Sequence, residues 1–413
     1  MTAECIQIGT VEKRTMNWKS IAWLHASMRT TIFALFMGAG LTIGLTFFES
    51  ILAITVGMSV VVVLMSLHGR VGQSTGKSLF EYARYSFGVC GSKILISGIM
   101  LIMSLGWNGV GLSLVSFAVS ALFGIPRTYL IFSVVVVIYG LLVLIPPLLG
   151  VEKMAKISWL PFLLTVLLSI YMLYVALMTF STSEILYYTP TTSFSILYGI
   201  DLVIGNSIGY ALGVTNFTMK MDCKDNIWYP FIIGFGVPGA LMMIIGIIMA
   251  ARTHTFDLIQ IMIELNLNAV AYLMIIISLY ILFGTGIYNT GLALKNTLEG
   301  TRYAISERGY MLVSGILGII AAVSGIFDYI FEWLSVLSIM LPPIIGILLS
   351  DYYFIHRKIG LARTPPQINC TTFLIWLSAS VVSYFIPQYF ARSMISFFLG
   401  FFLYYLSSLS SKS

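Results

Sequence analysis

The 413-residue chain is 59% hydrophobic and only 9% charged, with a formal net charge of +6; a soluble domain carries roughly 25% charged residues. That composition leaves too little polar surface for a water-soluble fold. The positive balance is what short basic loops facing anionic headgroups produce, so it implies a lipid bilayer as surroundings and no nucleic-acid partner.

Crossing the hydrocarbon core takes about 20 apolar residues. Hydropathy threads twelve spans: 27–47, 51–68, 93–123, 128–149, 155–180, 193–215, 228–250, 268–293, 309–327, 333–355, 370–388 and 391–410. The chain then reads as a tail 1–26, one all-α transmembrane domain 27–410 and a tail 411–413, with no soluble module. Nineteen of the 22 Lys and Arg fall on one side of this threading, Arg29 among them; only Arg127, Arg252 and Arg392 fall on the other. Basic loops stay in the cytoplasm, which predicts a multi-pass cell-membrane protein with both termini cytoplasmic. The first twenty residues carry Glu4, Glu12, Lys13, Arg14 and Lys19 and no apolar core, so no cleaved leader is expected. Cys5, Cys90, Cys223 and Cys370 all thread at or near the cytoplasmic side, where free thiols are expected. No Cys/His pair has metal-ligand spacing.

In chain order, the first span contains Gly38, Gly40 and Gly44. The loop 69–92 carries Phe80, Tyr82, Ala83, Tyr85 and Phe87 between charges, the pattern of a short interfacial helix. The fifth span opens with Lys156, five residues before Pro161. The sixth contains Asp201 and then Gly205, Asn206, Ser207, Gly209, Tyr210 and Gly213. Two glycine-interrupted spans in matching positions fit inverted repeats with helices unwound around a midplane site; glycine at this spacing equally fits close helix packing. An intramembrane carboxylate such as Asp201 is a functional candidate by default. His25, His68, His254 and His356 thread near span ends, as interfacial residues.

Three segments carry a family resemblance. Ala83-Arg84-Tyr85-Ser86-Phe87-Gly88-Val89-Cys90-Gly91-Ser92 resembles the loop after the second helix of bacterial cytosine permeases. Gly106-Trp107-Asn108-Gly109-Val110-Gly111 resembles their third-helix Gly-Trp motif. Leu337 to Tyr352, with Pro342-Pro343, Gly346 and Asp351-Tyr352, resembles their tenth-helix segment. The match is collinear and is similar to the nucleobase–cation symporter family, the purine–cytosine permease group. It implies a LeuT-type fold of two inverted five-helix repeats plus two C-terminal helices, working as a monomer by alternating access. It also implies a small-molecule solute with Na⁺ or H⁺ as coupling cation and no other cofactor.

By that resemblance Trp107 stacks on the solute, with Asn108 beside it; core packing is the alternative role. The family's sixth-helix aromatic falls on Ser207, so Tyr210 or Tyr288 would have to supply a second wall. The family's charged residues at the end of that helix fall on Asn216 and Met219. In the eighth span Thr285 and Asn289 share one helix face and replace the polar grip, unless they serve interhelical hydrogen bonds. With Gly38, Gly40, Asn206 and Tyr288 these complete the expected solute site. The eighth-helix hydroxyls that bind Na⁺ in the family fall on Ile281 and Leu282, which cannot ligate it. Lys156 resembles the lysine that replaces sodium in some proton-coupled relatives, its alternative being a snorkelling boundary lysine. Lys156 and Asp201 are therefore the coupling candidates, and H⁺ is expected over Na⁺. No Walker loop, catalytic triad or filter ring is present, so neither an enzyme nor an ATP-driven pump is expected. An amine, amino-acid or vitamin-precursor transporter, or a transport-dead nutrient sensor, are the alternatives on the same fold.

Overall fold

The computed structural model describes residues 14–126, 128–251, 261–262, 265–326, 330–356, 364–387 and 389–410. Arg127, Arg252, His254, Arg357, Lys358, Arg363 and Lys412, all used in the charge argument or the histidine reading, lie outside them, as does Cys5. The main helices are α1 (Trp18–Arg29), α2 (Ile32–Leu41), α3 (Phe47–Thr75), α4 (Leu79–Gly91), α5 (Ser97–Leu122), α6 (Tyr129–Leu149), α7 (Val151–Ile157), α8 (Trp159–Thr179), α9 (Ile196–Gly205), α10 (Ile208–Gly213), α11 (Val237–Ala250), α12 (Asn268–Leu298), α13 (Glu307–Val323), α14 (Ile330–Ser350), α15 (Cys370–Phe385) and α16 (Arg392–Ser410), with shorter helical turns between some of them. Among the described residues the extended contact is one isolated bridge, Met16 with Met221. Among the described residues, eight helical stretches are long and apolar enough to cross a membrane, and Ile32–Leu41, Ile339–Ile355 and Cys370–Phe385 are shorter apolar helices.

The first span differs from the expectation at both its start and its break. It begins at Trp18, where the Asn17 side chain accepts from Ser20 N. It breaks at Thr30–Thr31, not at the glycines. Thr30 turns both its N–H and its hydroxyl onto Ala26 O (2.9 Å each), and threonine hydroxyls compete with helical hydrogen bonding in this way. Gly38 serves packing: a Cβ there would lie 1.8 Å from Met243 O of α11. The sixth span breaks where the sequence suggested, at Asn206–Ser207 between α9 and α10.

Two capping boxes, Thr46 with Glu49 and Ser78 with Glu81, start α3 and α4. Loop 69–92 does contain the expected helix, α4, but Phe80, Tyr82, Ala83 and Phe87 are buried in protein and not in the bilayer interface. Gly88 has φ +82°, and a Cβ there would stand 3.0 Å from the backbone at Gln367 and Ile368, so this turn requires glycine. The Asp-Tyr end of the tenth span anchors three helices. Asp351, wholly buried, accepts from Tyr82 Oη of α4 (3.0 Å) and Tyr404 Oη of α16 (2.8 Å), and Tyr352 Oη pairs with Ser74 Oγ of α3 at 2.6 Å.

At the end rich in Arg14, Lys220 and Lys224, the N-terminal segment is laid against the loop before α11. Met16 N donates to Lys220 O (3.0 Å), Asp222 N to Met16 O (2.9 Å), and Trp18 N to Asp225 Oδ2 (2.6 Å). Gln73 Nε2 adds bonds to Asp222 O and Asp225 O, and Thr15 and Lys220 both reach Glu152. Cys223, in this clamp, is disulfide-bonded, against the expectation of free thiols; Cys90 and Cys370 are free.

Asp351→Ala is expected to lower the apparent melting temperature in detergent. It removes the carboxylate that accepts from two buried hydroxyls, at a cost of about 2 kcal/mol. Asp351→Asn, which keeps an acceptor, should lose clearly less; equal losses would mean that packing, not the hydrogen bonds, makes the anchor.

Candidate functional site

Two helix breaks inside one bundle leave backbone groups without their helical partners. The structure shows where they go. Ile32 N, first residue of α2, finds Ser278 Oγ of α12 at 3.5 Å. Met28 O, near the end of α1, accepts from Tyr210 Oη of α10 at 3.3 Å. Thr165 Oγ1 of α8 donates to Thr30 Oγ1 at 3.2 Å. The side chain of Arg29, 1% exposed, crosses from one break to the other, and its Nη1 donates to Asn206 Oδ1 at 2.8 Å.

Arg29 was counted with the cytoplasmic basic residues in the sequence; the structure places it in the core. Its Nη2 lies against Met58 Sδ (3.7 Å) and Met243 Sδ (3.9 Å). Its guanidinium carbon is 5.2 Å from the ring centre of Phe235 and 6.0 Å from that of Tyr210. Among the described residues no carboxylate pairs with it. The carbonyl ends of α1 and α9 both close on this point, and each helix end is equivalent to roughly half a negative charge. Together with polarisable sulfur and ring faces, they offset the guanidinium. Gly239 of α11 leaves the room: a Cβ there would lie 2.6 Å from Arg29 Nε.

Trp107, half-buried on α5, packs edge to face on Phe33 of α2, with centroids 5.2 Å apart and planes at 61°. It therefore lies beside the first break. Gly205, Asn206, Gly209 and Tyr210 are also half-buried. A Cβ on Gly205 would meet nothing within 4 Å, and one on Gly40 only Met37 Cε at 4.0 Å, so both broken helices face unfilled space. Ser207 is wholly buried. Of the two tyrosines considered for a second wall, Tyr210 is partly exposed, while Tyr288 is buried against Phe217, centroids 5.8 Å apart.

Other expected residues point elsewhere. Asn108 faces away from the breaks. It lines a void of about 10 Å³ with Leu112, Gly140, Val143, Phe283 and Ile287, and both its amide atoms lack hydrogen-bond partners. Thr285 Oγ1 donates to Leu282 O of its own helix at 2.6 Å. Asn289 Oδ1 accepts from Asn216 Nδ2 (3.0 Å), and Asn216 Oδ1 accepts from Leu79 N (2.9 Å). That relay joins α12, the segment after α10, and α4.

Lys156 is exposed at the end of α7, on a surface pocket with Asn17, Lys19, Trp23 and Trp159. The residue of this span that reaches the first break is Thr165. Asp201, one turn before the second break, accepts from Ser393 N (3.0 Å) and Ser393 Oγ at the start of α16, as an N-terminal cap does. His25 and His68, read as interfacial, are buried. Their Nδ1 atoms lie 2.9 Å from Ile21 O and 2.7 Å from Ala211 O. Arg29 was missed because charge alone assigned it to a loop. The available signal was the run Ile21–Leu45, apolar on both sides of Arg29-Thr30-Thr31.

Comparison with known proteins gives the family and the fold. The family described as permeases for cytosine/purines, uracil, thiamine and allantoin matches residues 7–365. The cytosine permease of Escherichia coli strain K12 is 24% identical over 347 residues, 82% of this chain and 78% of its own; that of Escherichia coli O157:H7 matches equally. Mhp1, a nucleobase-cation-symport-1 family transporter, in a closed conformation with bromovinylhydantoin bound, superimposes with a TM-score of 0.81 at 16% identity, covering 97% of this chain and 94% of that one. A Na⁺-coupled sialic acid symporter in an outward-open state gives 0.71 at 11% identity, covering 96% and 90%.

Asn108→Leu is expected to change thermal stability by less than about 1.5 kcal/mol. It replaces two unpaired buried polar atoms by hydrocarbon, and it should leave solute affinity unchanged. A large loss of affinity at unaltered stability would put the Asn108 amide in the solute site.

Proposed function

The chain belongs to the permease family for cytosine/purines, uracil, thiamine and allantoin, and within it we propose that this transporter imports a small nucleobase-like heterocycle by alternating access. It is a multi-pass membrane transporter and not an enzyme. The observation that carries the substrate reading is Trp107, a half-buried aromatic face beside the first helix break. Stacking on a flat ring contributes about 1 kcal/mol beyond area burial. Gly40, Gly205 and Gly209 bring backbone to the same region, Tyr210 borders it, and Asn206 keeps an amide nitrogen for the solute, while Asn289 is held in the buried relay with Asn216. Gly38, Ser207, Thr285 and Tyr288 shape the surrounding packing, and Asn108 supports the helix that carries Trp107. Both termini are proposed to be cytoplasmic, on the side where Arg14, Lys220 and Lys224 gather.

The coupling ion we propose is H⁺. Ile281 is buried and Leu282 partly buried on α12, leaving Ser278 as the hydroxyl that this helix turns toward the break. A sodium ion wants several oxygen ligands at close range. Asp201 is the carboxylate proposed to take the proton, with its release from Ser393 as the accompanying movement. Asn at this position would keep an acceptor for the α16 cap while losing the titrating charge.

Two measurements test this reading. Trp107→Ala is expected to abolish binding of cytosine, uracil and hydantoin in a thermal-shift screen of purified protein at normal expression. Unchanged affinity would remove Trp107 from the site, and hits confined to amines or amino acids would reassign the solute. In proteoliposomes, uptake should persist without Na⁺ and collapse with a protonophore, and Asp201→Asn should lose proton-driven accumulation while keeping solute exchange. A strict Na⁺ requirement sinks proton coupling.

A further inference from the structure

Asn206 closes α9 at the second break, and its carboxamide has two ends of opposite chemistry: an acceptor oxygen and a donor nitrogen. Which end faces the open side is decided by what holds the other. Here the holder is Arg29 Nη1, 2.8 Å from Asn206 Oδ1. A guanidinium only donates and stays protonated at any physiological pH, so the oxygen must face Arg29 and the nitrogen must face away. Asn206 Nδ2 makes no hydrogen bond to protein among the described residues. Its residue is half-buried, next to Gly205, whose Cβ position is open. Arg29 itself is too deeply buried to touch a solute. It is gripped on every side by Met58, Met243, Phe235 and the space that Gly239 leaves.

We infer that Arg29 is a positioning residue that locks the Asn206 amide as a hydrogen-bond donor toward the solute, so that the transporter selects heterocycles presenting an acceptor lone pair, a ring carbonyl oxygen or a bare ring nitrogen, to the second helix break. This rests on the reading that the solute binds between the two breaks. The positive charge behind the amide polarises its N–H groups and strengthens the bond they donate. Because that charge does not titrate, the selection is the same across the physiological pH range. An N–H or C–H edge in the same place would leave a desolvated donor without a partner, the arrangement by which polar sites reject analogues most strongly.

The test measures binding of uracil, 2-thiouracil and 4-thiouracil to purified full-length protein, since a thiocarbonyl is a poor acceptor of the same shape. Wild type is expected to bind uracil at least about tenfold more tightly than one of the two thio analogues. Asn206→Asp keeps the shape and gives Arg29 an ion-pair partner but has no N–H. It should be at least as heat-stable as wild type and bind uracil about tenfold or more weakly. Arg29→Met frees the amide to turn over and should shrink the uracil-to-thiouracil preference several-fold, while Arg29→Lys should keep it. Asn206→Asp binding uracil like wild type, or no thio discrimination in a wild type that binds uracil, overturns the inference. If wild type binds none of the three, the nucleobase reading itself fails and this inference with it. Should Arg29→Met not fold, the Asn206→Asp result decides alone.

Discussion

Inside a bilayer, a broken helix is allowed only where every backbone group that it releases finds another partner. This protein has two such breaks, and the rest of its centre is arranged around them. Ser278 takes Ile32 N, Tyr210 serves Met28 O, and Arg29 spans the gap to Asn206. None of these partners belongs to the helix it serves. The breaks therefore persist only while α1, α9, α10 and α12 hold their mutual positions, and a movement of one half-helix must exchange hydrogen bonds with another. A site that depends on several elements at once is what alternating access needs, because its two states differ in the placement of whole helices and not in the fold of any one of them.

The periphery fixes what the centre cannot. Asp351 ties α14 to α4 and α16 through two tyrosine hydroxyls. Gly346 and Gly400 let α14 and α16 approach until a Cβ would collide with backbone, 2.3 Å from Phe397 O and 2.7 Å from Pro343 O. At the basic end, the segment before α1 is bonded to the loop before α11 and to Glu152. That clamp joins the start of the first broken helix to the end of the second, so the half-helix α1 is held at its outer end by main-chain bonds and at its inner end by Arg29. The two restraints have different strengths. The outer one lies in water-accessible loops where competing hydrogen bonds are available, and the inner one lies where none are.

Much of this was legible in the sequence because membrane insertion writes a coarse signal. Hydropathy gave the helical class, and Gly205 and Gly209 flagged the sixth-span break within a residue or two. Three motifs pointed to the family that the comparisons then showed. What escaped has a common cause. Charge was read as a label of location, so Arg29 went to a loop although apolar residues flank it on both sides, and His25 and His68 went to the interface. Glycine was left open between a break and close packing, and the two spans divide: in the first, Thr30 and Thr31 break the helix while Gly38 packs it, and in the sixth the break falls beside Gly205. A threonine hydroxyl that captures a carbonyl leaves no periodic trace, and its effect is settled by the neighbours that receive the freed groups. The direction of Asn108, on a different face from the adjacent Trp107, follows from the hundred-degree turn between consecutive helical residues once one of them is placed.

With one aromatic wall in place of two, discrimination at this site falls more heavily on hydrogen bonds. Stacking is tolerant of ring identity, because every heterocycle offers a π face. In the proposed site a single Trp107 would hold many flat solutes and distinguish few of them. The amide nitrogen of Asn206 is turned away from Arg29, a group able only to donate, and the Asn289–Asn216 relay is likewise oriented by the donor Leu79 N. Neither amide can reverse without stranding a buried group, and the one at the second break is that of Asn206. In the proposed site the edge of the solute, not its face, is therefore where this chain would depart from relatives that keep a second aromatic, and the buried guanidinium is the group we propose sets which edge is accepted.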